Sequence, residues 1–163
     1  MKLIFTTLLF AFLFAAAFVL GPFYSAGQIY TSVFAGDKNW ENYVDEEAVK
    51  ASLIKGNSEE LNKHVDAVTD NEAVKDITGA LVSPLFEAFA KDDVSTEGLK
   101  GMMGKSEGAA QEDIISSITY LLQNGTYRIE GLDAVTLKYP NSETEFTFNR
   151  EGLTWTLVGI SQG

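Results

Sequence analysis

His64 is the single histidine of the chain and there is no cysteine, so acid–base, nucleophilic or metal chemistry would have to come from carboxylates, hydroxyls and one imidazole. A general base needs a partner that orients it. In Leu61-Asn62-Lys63-His64-Val65-Asp66 the acid two residues on would sit on a different face of a helix, so His64 reads as an exposed helical histidine rather than a catalytic one. One histidine cannot build a multi-histidine zinc site. The lack of cysteine also excludes disulfides, thiolate ligands, a cysteine nucleophile and a lipid-modified cysteine.

The carboxylates are numerous but not arranged for chemistry. Asp45-Glu46-Glu47 and Asp92-Asp93 could hold calcium only with the alternating acids and central glycine of a calcium loop, which neither has, and both fit helix caps or solvated faces. Glu130 and Asp133 flank a strand start and could pair with Glu143 or Glu145, with no spacing that fixes a separation. Gly98, Gly101, Gly104 and Gly108 lack the strand before and the Lys-Ser after that a phosphate loop needs. No Gly-x-Ser-x-Gly elbow occurs. Tyr127, Tyr139, Phe146, Phe148 and Trp155 could line a pocket in a curved sheet, but strands that alternate this way more often supply a core. No catalytic, cofactor-binding or metal-binding residue is assigned from the sequence, and no cofactor is expected.

The elements that would position these residues follow from hydrophobic period. Ile29, Tyr30, Val33 and Phe34 share a helical face in a segment ending at Gly36, and Trp40 with Tyr43 would pack back on that face. Asp45 is the expected N-cap of a helix over 46–55, stopped by Gly56-Asn57, with a new helix from Ser58. Val74, Ile77, Leu81, Leu85 and Phe89 form a stripe that Ser83-Pro84 either kinks or divides. Ser95-Thr96-Glu97 opens a short helix to about Met103, Gly104 to Gly108 has loop composition, and Ile114, Ile115, Ile118, Leu121 and Leu122 mark a helix ended by Asn124-Gly125.

After Gly125 the period changes from 3.6 to 2. Val135, Leu137 and Tyr139, then Phe146 and Phe148, then Leu153, Trp155 and Leu157 alternate with polar neighbours, which predicts a three-stranded antiparallel meander with Tyr127 to Glu130 as a fourth strand. Helices first and strands last give an α+β class. The expected organisation is an N-terminal anchor over 1–24 and one domain over 25–163, helical over 25–124 and a β-meander over 126–161.

The anchor is read from Leu3 to Leu20, an apolar run broken only by Thr6 and Thr7, with no charge between Lys2 and Asp37. That is spanning length. Ala15-Ala16-Ala17 could end a cleaved signal, but the cut would leave Phe18 to Tyr24 as an apolar terminus, and a cut after Ala26 would place bulky Tyr24 where a small residue is wanted. The uncleaved single-pass helix is therefore preferred, with Phe23 and Tyr24 as an interfacial aromatic pair. Lys2 on one side, and no further Lys or Arg until Lys38, place the N-terminus in the cytoplasm and the domain in the periplasm or on the extracytoplasmic side of the inner membrane. Setting Lys2 aside leaves eleven Lys and Arg against 23 Asp and Glu, a net −12 that repels nucleic acid and anionic lipid head groups alike and excludes nucleic acid as a partner.

Phe34-Ala35-Gly36-Asp37, Tyr43-Val44-Asp45 with Leu53 beyond it, Ser95-Thr96-Glu97-Gly98-Leu99 and the closing Phe148-Asn149-Arg150-Glu151-Gly152-Leu153-Thr154-Trp155-Thr156-Leu157-Val158 resemble the bacterial membrane-anchored family catalogued as domain of unknown function 2939. The resemblance implies a small envelope protein and supplies no catalytic or ligand residues. Helices followed by a bent sheet also look like the cone-shaped nuclear transport factor 2 superfamily, an analogy of shape. Two function classes follow: a non-catalytic binding or adaptor module that contacts an envelope protein or a small apolar ligand, or a small enzyme using His64 or buried carboxylates. The missing catalytic constellation favours the first.

Overall fold

The computed structural model describes residues 2–69, 71–104 and 113–162, and several side chains in the first half of α1 and in α3 also lie outside that description. Among the described residues five α-helices precede four strands. α1 spans Lys2–Ala35, α2 Glu46–Val68, α3 Glu72–Asp93, α4 Thr96–Met102 and α5 Ile114–Asn124. A short 3-10 helix, Asn39–Tyr43, joins α1 to α2. β1 (Thr126–Ile129), β2 (Ala134–Lys138), β3 (Thr144–Glu151) and β4 (Thr154–Gln162) form one antiparallel meander in the order β1-β2-β3-β4.

The α+β class and the four-stranded meander are thus as the period change predicts. Register puts Val135, Phe148 and Leu157 in one row and Leu137, Phe146 and Ile160 in the next. All six are buried on the face that α1 and α2 cover, because alternate residues of a strand share a face. A bulge in β4 between the partners of Thr147 and Phe148 lets Leu157 and Ile160 stay on that face although three residues apart. From α1 the core takes Phe23, Ala26, Ile29, Tyr30 and Val33, at helical spacing. Gly36 ends α1 at φ 75°, a conformation that glycine adopts without a Cβ penalty. α3 packs on α2 and α4 rather than on the sheet, and its Ile77 is 60% exposed.

Three expectations need correction. The helix stop at Gly56-Asn57 does not occur: α2 runs unbroken from Glu46 to Val68, since one interior glycine weakens a helix by only about 1 kcal/mol and the Lys55–Glu59 pair bridges the site at 3.8 Å. Of the two readings left open at Ser83-Pro84, α3 takes the undivided one and continues through Pro84 as one helix. Leu153 is not a core strand residue. It sits in the β3–β4 turn after Gly152 (φ 64°) and is 75% exposed, so the alternation of β4 begins with Trp155.

The last concerns Phe23, at the outer end of the segment read as an anchor. Among the described residues no helix is long and apolar enough to cross a membrane. α1 is continuous to Ala35 and has entered the protein core by Phe23. Phe18 meets Trp155 edge-to-face at 5.8 Å, and Phe23, far from being an interfacial ring, is buried against Tyr127 at 5.1 Å. Of the loop expected over 104–108, only Gly104 lies within the described residues.

Candidate functional site

Where α1 crosses β4 the two elements come into close contact. Gly21 lies directly against the Trp155 indole, and Ser25 Oγ donates to the Trp155 carbonyl at 2.6 Å. The 3-10 helix folds back beside them, held by the Val44–Leu157 bridge and by Asp45 N–H donating to the Leu157 carbonyl at 2.9 Å. Between the three elements is a cavity of about 430 Å³, within the range of small-molecule sites. Leu20, Gly21, Tyr24 and Ser25 of α1 form one wall, Asn42 and Tyr43 of the 3-10 helix a second, and Leu153 to Thr156 the third.

Its chemistry is that of recognition. The tyrosine rings 24 and 43 meet at 6.1 Å with their hydroxyls hydrogen-bonded, and Gln28 Nε2 donates to the Tyr24 hydroxyl at 3.0 Å. Burial, with the Tyr24 hydroxyl beside it, pushes the Tyr43 hydroxyl above 10.0, so it stays protonated at neutral pH. Ser25 spends its proton on a backbone carbonyl. No histidine, carboxylate or lysine is among the lining residues. The site offers apolar and aromatic walls with a few neutral hydrogen-bonding groups.

The residues singled out from the sequence are elsewhere. His64 is exposed on α2, its Nδ1 2.9 Å from the Glu60 carbonyl and away from the cavity. Asp45 caps α2 by accepting from Ala48 N–H at 3.0 Å, and the Asp92 carbonyl accepts from Ser95 Oγ at 2.6 Å. Glu130 is held by Arg128 at 2.7 Å, with Glu145 on the same guanidinium at 3.5 Å, while Asp133 pairs with Arg150 at 2.7 Å. The Arg128 hydrogen bond draws the Glu130 carboxyl below its usual range. Each of these three acids therefore has a cationic partner in place of a second carboxylate. Among the described residues no group of three or more candidate ligands is placed to hold a metal ion.

Of the aromatic set, Tyr139, Phe146 and Phe148 are core. Tyr139 donates to the Ala26 carbonyl at 3.0 Å and stacks on Tyr30 at 5.7 Å. Trp155 serves both core and cavity: 3% exposed, it also lines the cavity. The residues that sequence reasoning missed are Gly21, Ser25 and Tyr43. The visible signal was a glycine and a serine breaking an otherwise apolar stretch beside Tyr24.

Comparison with curated proteins and with solved structures gives no match. A protein-family pattern does match over residues 11–102, more than half of the chain, from the apolar part of α1 to the end of α4. The matched region includes the α1 and 3-10 walls of the cavity and stops short of the sheet. This chain belongs to the family described as Protein of unknown function (DUF2939).

Proposed function

We propose that the protein is a non-catalytic binding module, anchored by the first half of α1 at the outer face of the cytoplasmic membrane, whose cavity between α1, the 3-10 helix and β4 takes a small apolar ligand. The observation that carries the reading is the lining of that cavity: indole, leucine and tyrosine surfaces with hydroxyls already engaged and no acid–base pair. The anchor is supported by Leu9, Phe10, Phe12, Val19 and Leu20, which α1 leaves between 47% and 70% exposed, a large apolar surface for a helix in water.

The test is photo-crosslinking in intact membranes with a photoreactive residue in place of exposed Asn42, at the cavity rim. The expected product is the full-length chain carrying a small hydrophobic adduct, in the membrane fraction and digestible by protease added from outside. A chain with no small-molecule adduct overturns the ligand, and one found in the soluble fraction or with residues 1–24 removed overturns the anchor.

A further inference from the structure

We propose that the two hairpin tips at one end of the sheet, Leu132 between β1 and β2 and Leu153 between β3 and β4, dock into the surface of the lipid bilayer. The proposal rests on the anchor reading above and adds a second contact with the membrane.

In a meander the first and third turns lie at the same end of the sheet, so the two tips are neighbours by topology. Arg150 ties them together, donating from one guanidinium nitrogen to Asp133 at 2.7 Å and from another to the Gly152 carbonyl at 2.9 Å. Each tip presents a leucine outward, 74% exposed at 132 and 75% at 153, with Ile129 beside them at 60%. Both arginines of the chain, Arg128 and Arg150, stand at this end. With Glu130, Asp133 and Glu151 they leave the tips at a net −1 in a domain that is strongly acidic overall, so the tips carry little of the charge that anionic head groups repel.

The course of α1 identifies the occupant. The helix leaves the protein at this same end, where Phe18 lies against Trp155 and 4.9 Å beneath the Arg150 guanidinium. Ahead of Phe18, Leu9, Phe10 and Phe12 stand exposed on the apolar stretch that the anchor reading places in the bilayer. The tips are fixed to Phe18 through Arg150, so they stand where that stretch meets the bilayer, in the interfacial layer where leucine is favourable and arginine finds phosphate.

The chain has no cysteine, so single cysteines carrying an environment-sensitive fluorophore report one site each. The sites are Leu132→Cys, Leu153→Cys, Glu143→Cys in the β2–β3 turn at the opposite end, and Phe10→Cys in the apolar run, all in the full chain reconstituted into phosphatidylcholine vesicles. All four positions are exposed, so folding is spared. At 132 and 153 the expected result is blue-shifted emission and loss of most fluorescence to lipids spin-labelled high on the acyl chain, with neither effect at 143. Quenching at 10 by deep spin labels with none at 132 and 153 overturns the docking and keeps the anchor. A blue shift at 132 and 153 without lipid quenching means that protein, such as a second copy of the chain, covers the tips, and also overturns it. No quenching at 10 removes the anchor and the docking with it.

Discussion

The guanidinium of Arg150 lies 4.9 Å from the centre of the Phe18 ring, joining α1 to the last hairpin of the sheet. The same group pairs with Asp133 at 2.7 Å, and its side chain is only 22% exposed. Replacing Arg150 with Ala should therefore cost about 1–3 kcal/mol, combining a partly desolvated cation–π contact with a charge-assisted hydrogen bond. Lysine should recover little, because it has no planar fork to reach Asp133 and Gly152 together. Melting of the full chain in detergent reads both, and a lysine variant as stable as the parent would show that charge alone suffices.

Trp155 is the larger investment of apolar surface. It is 3% exposed, braced by Phe18 and Gly21, and forms one wall of the cavity. Truncation to Ala should cost about 3–5 kcal/mol, a large part of the 5–15 kcal/mol that holds a domain of this size together. A melting midpoint shifted by only a degree or so would mean that the indole contributes to ligand binding and not to the core.

How much of this was legible in the sequence depended on the range of the interaction concerned. Asp45, Ser95 and Asn124-Gly125 announce helix ends because capping is settled within four residues, and each behaves as read. The switch to alternating residues at Val135 announces the sheet for the same reason. Gly56 misleads because its cost is small beside the packing of α2 on β4, and Leu153 misleads because alternation on paper runs one position into the turn. The cavity was not legible at all. Its walls join Ser25 to Trp155, 130 positions apart, and nothing local marks such a meeting. The apolar run of α1 was legible, but not that Phe18 and Phe23 pack against the protein's own sheet.

His64 tests the enzyme alternative directly. It is exposed and bonded to a backbone carbonyl one turn away, so His64→Gln should change stability by no more than about 0.5 kcal/mol and leave ligand adducts at the cavity unchanged. Loss of function at normal abundance would bring a catalytic role for the imidazole back.

Acid should loosen the start of α5. Asp113 accepts from Ser116 N–H at 2.8 Å and from Ser116 Oγ at 2.7 Å, and the backbone hydrogen bond above all draws its carboxyl below the ordinary 3.8. The folded value is depressed, so the stabilisation is complete above 3.8 and is lost as pH falls through the lower folded value. Asp113→Asn keeps a capping oxygen without titrating. Acid melts of the two proteins should run parallel above that range and converge below it, and a difference that stays constant through the acid range would exclude Asp113 as a source of the pH dependence.

Gly21 carries the closest test of the α1–β4 contact. A Cβ placed there would fall on Cδ1 and Nε1 of the Trp155 ring, and the indole cannot swing away, because Phe18 packs on it edge-to-face and the backbone carbonyl of the same residue holds Ser25. In an exposed helix Gly→Ala stabilises, by about 1 kcal/mol from propensity alone. Here the crowding should win: overpacking costs about 1–3 kcal/mol, so Gly21→Ala should lower the melting midpoint of the full chain while Gly56→Ala, where nothing lies within 4 Å, raises it. The pair separates propensity from packing on two helices of one protein. If both alanines stabilise, α1 does not lie against Trp155 as described, and the cavity between them loses its wall.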